Sequence, residues 1–176
     1  MIPPNTTYSY QYYNAPKISF ISPAYGPVKS PNDETVTITG QNFNCPDSDC
    51  KDLFVRFGDP ENGIYVKANK TGPNTVECKV PKYTKPDVLP VEVTFNGYDY
   101  TNDNQTYGFF DPYILDVQPR LISAKGTTKV KLYGIGFVNS TGTYLKSKFR
   151  SNVRGNLTCG TGDCIKMATY IDKSTI

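Results

Sequence analysis

"VTITGQNF", residues 36–43, alternates apolar and polar side chains and ends in Gly-x-x-Phe; 94 positions later, residues 130–137 read "VKLYGIGF". In an extended chain Val36 and Ile38 share one face, and Thr37 and Thr39 the other. That is the pattern of a strand buried on one side. Val130 and Leu132 stand in the same way. Gly40 and Gly134 are expected to supply a backbone conformation that a side chain forbids, ending the strand in a bend. Phe43 and Phe137 are then expected to return to the core.

The repetition extends outward from this phrase. Pro16, Ile18, Ile21 and Pro23 are matched by Pro112, Ile114, Val117 and Pro119, each 96 residues on. Downstream, Phe57 is matched by Phe149, and Thr75 and Val76 by Thr175 and Ile176. A period of about one hundred residues fits whole domains in tandem, since solenoid units run to about 20–45 residues. Residues 1–14 are expected to be the last strand of a preceding repeat or an N-terminal arm. Residues 15–111 are expected to form a complete domain, and residues 112–176 a second one, truncated before its counterparts of "PVEVTFNG" and "QTYGFF". The chain reads as a fragment of a larger protein, with short joints at Asn14–Pro16 and Asp111–Pro112.

Within residues 15–111, about seven strand-like segments are separated by Gly, Pro and Asn turns, among them "KISFI", "LFVRFG", "IYVKA", "TVECKVP" and "PVEVTFNG". Stretches with a helical period are missing. The expected fold class is all-β, an immunoglobulin-like β-sandwich. The ordered set of a Pro-containing strand, a Ser-Pro-x-x-Gly-Pro turn, "VTITGQNF", a strand ending Phe-Gly and "TVECKVP" resembles the IPT/TIG family of immunoglobulin-like domains. The resemblance covers residues 16–110 and, in part, 112–176. A Gly-Gly-Thr often found before the second strand of that family is replaced by "SPNDETV" in the first unit, whereas the second keeps "KGTTKV".

Composition narrows the function. The chain of 176 residues contains no His, which removes the commonest general base and metal ligand. No Ser/His/Asp set, no phosphate-cradling glycine loop and no framed carboxylate pair stands in for it, so no enzyme and no cofactor is expected. The net charge of +3 is spread over isolated Lys and Arg residues, densest at "KSKFR", which argues against a nucleic-acid partner. The N-terminus does not read as a signal peptide, and no run approaches the ~18 apolar residues of a membrane helix, so no direct membrane insertion is expected.

Five cysteines and five N-x-S/T sequons point to an oxidising, secretory setting. "CPDSDC" and "CGTGDC" each place four residues between two cysteines in turn-rich loops. Pairs Cys45–Cys50 and Cys159–Cys164 are therefore expected. Cys78 lies on the inward Val76/Val80 face, either as a free thiol or as an alternative partner of Cys45 or Cys50. The spacing is poor for zinc, and Asp47, Asp49 and Asp52 lack a calcium-loop pattern. Asn5, Asn69, Asn104, Asn139 and Asn156 are the candidate glycosylation sites.

The expectation for function is a non-catalytic extracellular or cell-surface module. It would serve adhesion, recognition or filament assembly, with protein partners or copies of itself, beside adjacent immunoglobulin-like domains of the same chain. The resemblance implies relatives among plexin-like receptors, fibrocystin-like ciliary surface proteins and protist adhesion proteins. The Tyr-rich segments "YSYQYY" and "YDYTNDNQTYGFF" offer contact area at low entropic cost. Two other readings are a Rel-like intracellular dimerisation domain and an accessory domain of a carbohydrate-acting enzyme.

Overall fold

The computed structural model describes residues 10–28, 34–46, 49–122, 128–139, 146–149, 164–172 and 174–176. The chain divides into two compact units: Met1–Ala24, Ser30–Tyr83 and Val88–Tyr107 form one, and Tyr25–Lys29, Thr84–Asp87 and Gly108–Ile176 the other. The described residues form strands and no helix.

The strands of the first half are β1 (Lys17–Ser22), β2 (Tyr25–Pro27), β3 (Thr35–Gln41), β4 (Phe54–Phe57), β5 (Ile64–Gly72), β6 (Thr75–Lys79), β7 (Asp87–Thr94) and β8 (Thr106–Phe110). Their spatial order is β1-β3-β6-β5-β4-β7-β8-β2. β5 turns this sheet into a sandwich. Its first part, Ile64–Lys67, pairs with β4, and its second part, from Ala68, pairs with β6. Alternation decides what faces inward: Val36, Ile38, Val76 and Cys78 from one half, and Val55, Phe57, Val91 and Val93 from the other, are all buried. Phe43, after β3, meets Phe95, after β7, edge to face across the two halves at a centroid distance of 6.3 Å, and Phe57 of β4 meets Tyr107 of β8 within the second half at 5.8 Å. Such pairs are worth about 0.5–1.5 kcal/mol beyond their burial.

β1 carries a bulge. Ile18 is opposite Gly40, but Phe20 is opposite Thr39, so Ser19 is the extra residue. The bulge brings Ile18 and Ile21 to the core although they are three apart in sequence. It also explains Gly40. A Cβ there would lie 2.0 Å from the Lys17 carbonyl oxygen and 2.7 Å from the Phe43 ring. The glycine supplies room rather than an unusual backbone conformation, and β3 runs on through it to Gln41. The left-handed residue is Asn42, at φ 59°. The expectation that Gly40 bends and ends the strand is corrected on both counts.

In the second unit, β9 (Tyr113–Gln118) pairs with β10 (Lys131–Ile135), again with one extra residue: Asp116 faces Tyr133 and Ile114 faces Gly134. A Cβ on Gly134 would lie 2.0 Å from the Tyr113 carbonyl oxygen and 2.9 Å from the Phe137 ring. Gly136, two residues on, has φ 76°. On the other side of β10, Leu132 N–H donates to Ile176 O at 2.8 Å and Ile176 N–H to Leu132 O at 3.0 Å. β11 (Lys146–Phe149) pairs with β12 (Cys164–Met167). Leu132, Phe137 and Ile176 are buried together, with Val117, Val130, Ala168 and Tyr170 packed against them.

One segment departs from the sequence reading. Residues 25–27, expected as part of a turn, form the short strand β2, parallel to Gly108–Phe110. Gly108 makes this possible, because a Cβ there would stand 2.4 Å from the Tyr25 ring. Pro27 closes the strand, and Val28 N–H donates to Phe110 O at 2.8 Å.

Candidate functional site

The loop between β3 and β4 is tied by a disulfide from Cys45 to Cys50, with a Cα separation of 5.3 Å. Cys50 has φ 49°, and Lys67 on β5 donates a hydrogen bond to its carbonyl at 3.2 Å. The same ammonium lies 4.7 Å above the Phe54 ring. The loop is thereby held against the outer face of β4 and β5. Cys78 is a free thiol, buried on β6, and burial pushes its pKa up to about 12. Of the other site residues expected from sequence, Asn69, Asn104 and Asn139 are all exposed. Asn69 lies on β5 opposite Glu77, and Asn104 lies in the turn before β8 with φ 53°. Asn5, Asn156 and Cys159 fall outside the described residues, as does the side chain of Cys164.

The alternation of β4 sends Val55 and Phe57 inward and Arg56 to the opposite face, between Tyr65 of β5 and Glu92 of β7. Arg56 forms an ion pair with Glu92. Its guanidinium also lies 4.1 Å from the centre of the Tyr100 ring, and Tyr100 meets Tyr65 edge to face at 6.3 Å. Gly63 leaves room for the side chain, since a Cβ there would be 2.7 Å from Arg56 Cγ. Only 6% of Arg56 is exposed. Burial works against its charge, but hydrogen bonds to Tyr65 and Glu92 outweigh it and hold the pKa above the ordinary arginine value. Sequence alone showed an isolated Arg between two core residues. The register that brings Tyr65 and Glu92 beside it was the missing signal.

The tyrosines divide between surface and core. Tyr10, Tyr12 and Tyr98 are almost fully exposed, whereas Tyr107 is fully buried. Tyr13 packs on Phe95 with ring centres 6.0 Å apart; burial, aided by Asp99, raises its hydroxyl pKa. The arrangement offers a rigid, aromatic, polar surface around a fixed guanidinium. A nucleophile held by a base is not found among the described residues.

The IPT/TIG domain family matches residues 16–109 as a single domain. The chain belongs to the IPT/TIG family. The match spans β1 to β8 short of its last residue, so the buried Arg56, the tied loop and the Gly40–Phe43 corner all lie inside one IPT/TIG domain. Among solved structures, the full extracellular region of plexin A4, domains 1 to 10, is similar at 16% identity and a TM-score of 0.52, covering 93% of this chain and 12% of that one. A second structure of the plexin A4 extracellular region gives 12% identity and a TM-score of 0.45, covering 68% of this chain and 18% of that one. A structural-genomics protein of unknown function from Bacteroides thetaiotaomicron gives 16% identity and a TM-score of 0.44, with 72% and 34% covered. The IPT/TIG chain thus spans a small part of these proteins, and the first likeness establishes the immunoglobulin-like fold. No curated protein matches it.

Proposed function

We propose that this IPT/TIG chain is a non-catalytic extracellular module that acts through protein contacts within a larger assembly, in adhesion or recognition. The observation that carries this reading is the Cys45–Cys50 cross-link. A disulfide persists in oxidising compartments, and this one fixes a loop beside a rigid surface rather than a catalytic group. The exposure of Asn69, Asn104 and Asn139 supports the same setting, because a glycan needs an accessible asparagine. Cys159–Cys164 is proposed as a second cross-link.

The module is proposed to be tandem, with one domain over residues 15–111 and a second beginning at residue 112. Three correspondences support this. The bulge at Ser19 recurs at Leu115 in the same register. Gly134 N–H donates to Ser174 O at 2.9 Å, as Gly40 N–H does to Asn74 O at 2.9 Å. The pairing of Phe54–Phe57 with Ile64–Lys67 recurs between Lys146–Phe149 and Cys164–Met167.

The test is to express the chain behind a secretion signal and compare its mass under non-reducing conditions before and after N-glycosidase. The expected result is a Cys45–Cys50 cross-link with glycan on at least one of Asn69, Asn104 and Asn139. Cys45 and Cys50 open to alkylation without reduction, with every sequon bare, overturn the reading.

A further inference from the structure

Asn-Gly occurs twice in the chain, at Asn62–Gly63 and at Asn96–Gly97. The pair is prone to self-modification, because glycine has no side chain to shield its backbone nitrogen from the preceding carboxamide. The structure gives the two pairs opposite surroundings. Asn96 lies just beyond β7, and its side chain is fixed at both ends. Its Oδ1 accepts from Tyr98 N–H and Asp99 N–H at 2.9 Å each and from Thr94 Oγ1 at 3.2 Å, and its Nδ2 donates to Asp99 Oδ2 at 2.9 Å. Gly97 N–H, on the nitrogen that would attack, donates to Thr94 Oγ1 at 2.9 Å. Thr94 is itself fully buried. Asn62 lies in the turn between β4 and β5. It is exposed, and among the described residues no hydrogen bond holds its side chain.

We infer that Asn62 is a site of spontaneous deamidation, and that Asn96, with the same following residue, is protected by the fold. The Gly63 backbone nitrogen gives up its proton to solvent hydroxide and bonds to Asn62 Cγ. The Cγ–Nδ2 bond breaks, and the side-chain nitrogen leaves as ammonia after taking a proton from water. Water then opens the cyclic imide at either carbonyl, leaving an aspartate or an isoaspartate. To form the same ring at Asn96, the carboxamide must turn and Gly97 N–H must leave Thr94. Hydrogen bonds broken before the chemical step add to its barrier, and two or more of them slow it at least about tenfold. The modification reaches the surface around Arg56. A Cβ on Gly63 would lie 2.7 Å from Arg56 Cγ and 2.7 Å from Asp59 O, and Tyr65 Oη donates to Pro60 O at 3.4 Å. An isoaspartate lengthens the main chain by one carbon next to a glycine that has no room to spare, and either product adds a negative charge to the turn. The reaction therefore alters, slowly and irreversibly, the face that Arg56 and Tyr65 share.

The full chain is incubated in mildly alkaline buffer, native and in urea, and peptide mapping by mass follows amide-to-acid conversion at both asparagines. Heavy-oxygen water marks each opened ring. In urea the two sites should react at similar rates, since both precede glycine. In the native chain Asn62 should react at least about tenfold faster than Asn96. Thr94→Val removes the hydroxyl that holds Gly97 N–H and should raise the Asn96 rate without changing that of Asn62. Asp99→Ala, at an exposed position, should act in the same direction, and it decides the matter where loss of the buried hydroxyl upsets the fold. The ring signals of Tyr65 should shift as Asn62 converts, and Asn62→Gln should abolish both the conversion and the shift. Equal native rates, a faster Asn96 or an Asn62 that stays intact overturns the inference. So does a rate gap that persists in urea, which traces the difference to sequence rather than fold, or an Asn96 that stays slow in the folded variants. Tyr65 signals that do not move as Asn62 converts overturn the link to the Arg56 surface.

Discussion

Around Gly40, β1 crosses β3 with one bulged residue, and the Phe43 ring folds back over the glycine. Around Gly134, β9 crosses β10 in the same way under Phe137. The hairpins agree to the residue, but their surroundings do not. Ile18 is 5% exposed and its counterpart Ile114 is 51% exposed. Ile18 N–H donates a hydrogen bond to Asp103 at 2.7 Å, and the core of the first unit holds Val91 and Val93 of β7 and Tyr107 of β8 besides Ile18. The second hairpin has Leu132, Phe137 and Ile176 as its buried cluster. The difference separates two jobs that the repeated phrase does not distinguish. Gly-x-x-Phe and the bulge specify a corner, whereas sealing that corner takes strands distant in sequence.

The largest expected effect comes from filling the corner. In Gly40→Ala the new Cβ meets a backbone carbonyl, which cannot swing away as a side-chain tip does. β1 must part from β3, at a cost of about 3 kcal/mol, the upper part of the range for overpacking. Gly134→Ala meets the same obstacle at Tyr113 and should open β9 from β10. Thermal unfolding with amide exchange measures both. Tolerance of Gly40→Ala alongside disruption by Gly134→Ala would break the equivalence of the corners.

The next contrast is between ion pairs. Arg56–Glu92 is largely buried, whereas Arg120–Asp116 bridges at 2.7 Å with 77% of the arginine side chain exposed. Glu92→Gln leaves a buried guanidinium facing a neutral amide and should cost about 2 kcal/mol, within the range for hydrogen bonds to charged groups. Asp116→Asn should leave the denaturation midpoint unchanged, because exposed pairs contribute little. Equal losses at the two sites would show that burial does not set the difference.

Much of the fold is legible in sequence wherever alternation is strict. Val36/Ile38 and Val91/Val93/Phe95 announce their faces because a strand repeats every two residues. Legibility fails where the period slips. Ile18 and Ile21 are three apart, and only the bulge reconciles them with one core. The reason for Gly40 was hidden for a related cause: the carbonyl that forbids a side chain belongs to a strand more than twenty residues earlier. β2 was obscured by a Tyr-Gly-Pro reading that suits a turn equally well. The Arg56–Glu92 pair required the register of β4 against β7, which spacing along the chain does not encode. The IPT/TIG resemblance is the part that transferred furthest, with the family matching residues 16–109.

At neutral pH the smallest effect, by way of Cys78, tests how well the first core is sealed. Cys78 stands opposite Val36 in the register of β3 and β6 with 4% of the residue exposed, and burial raises the thiol pKa from 9.0 to about 12. Burial penalises the thiolate, so the folded chain holds its proton where the unfolded chain has lost it. Below about pH 9 both states are protonated and the thiol adds no pH dependence. Between about 9 and 12 the unfolded state binds fewer protons, so stability falls as pH rises, by about 1.4 kcal/mol per unit at most. Cys78→Ala should flatten that slope, at the cost of a lower stability at neutral pH from the small void it leaves. Iodoacetamide should label Cys78 in the native chain only at the rate of unfolding, and rapidly in denaturant. Fast labelling of the native chain at pH 8 would show that the first core opens readily, and the contrast between Ile18 and Ile114 would then be one of degree rather than of sealing.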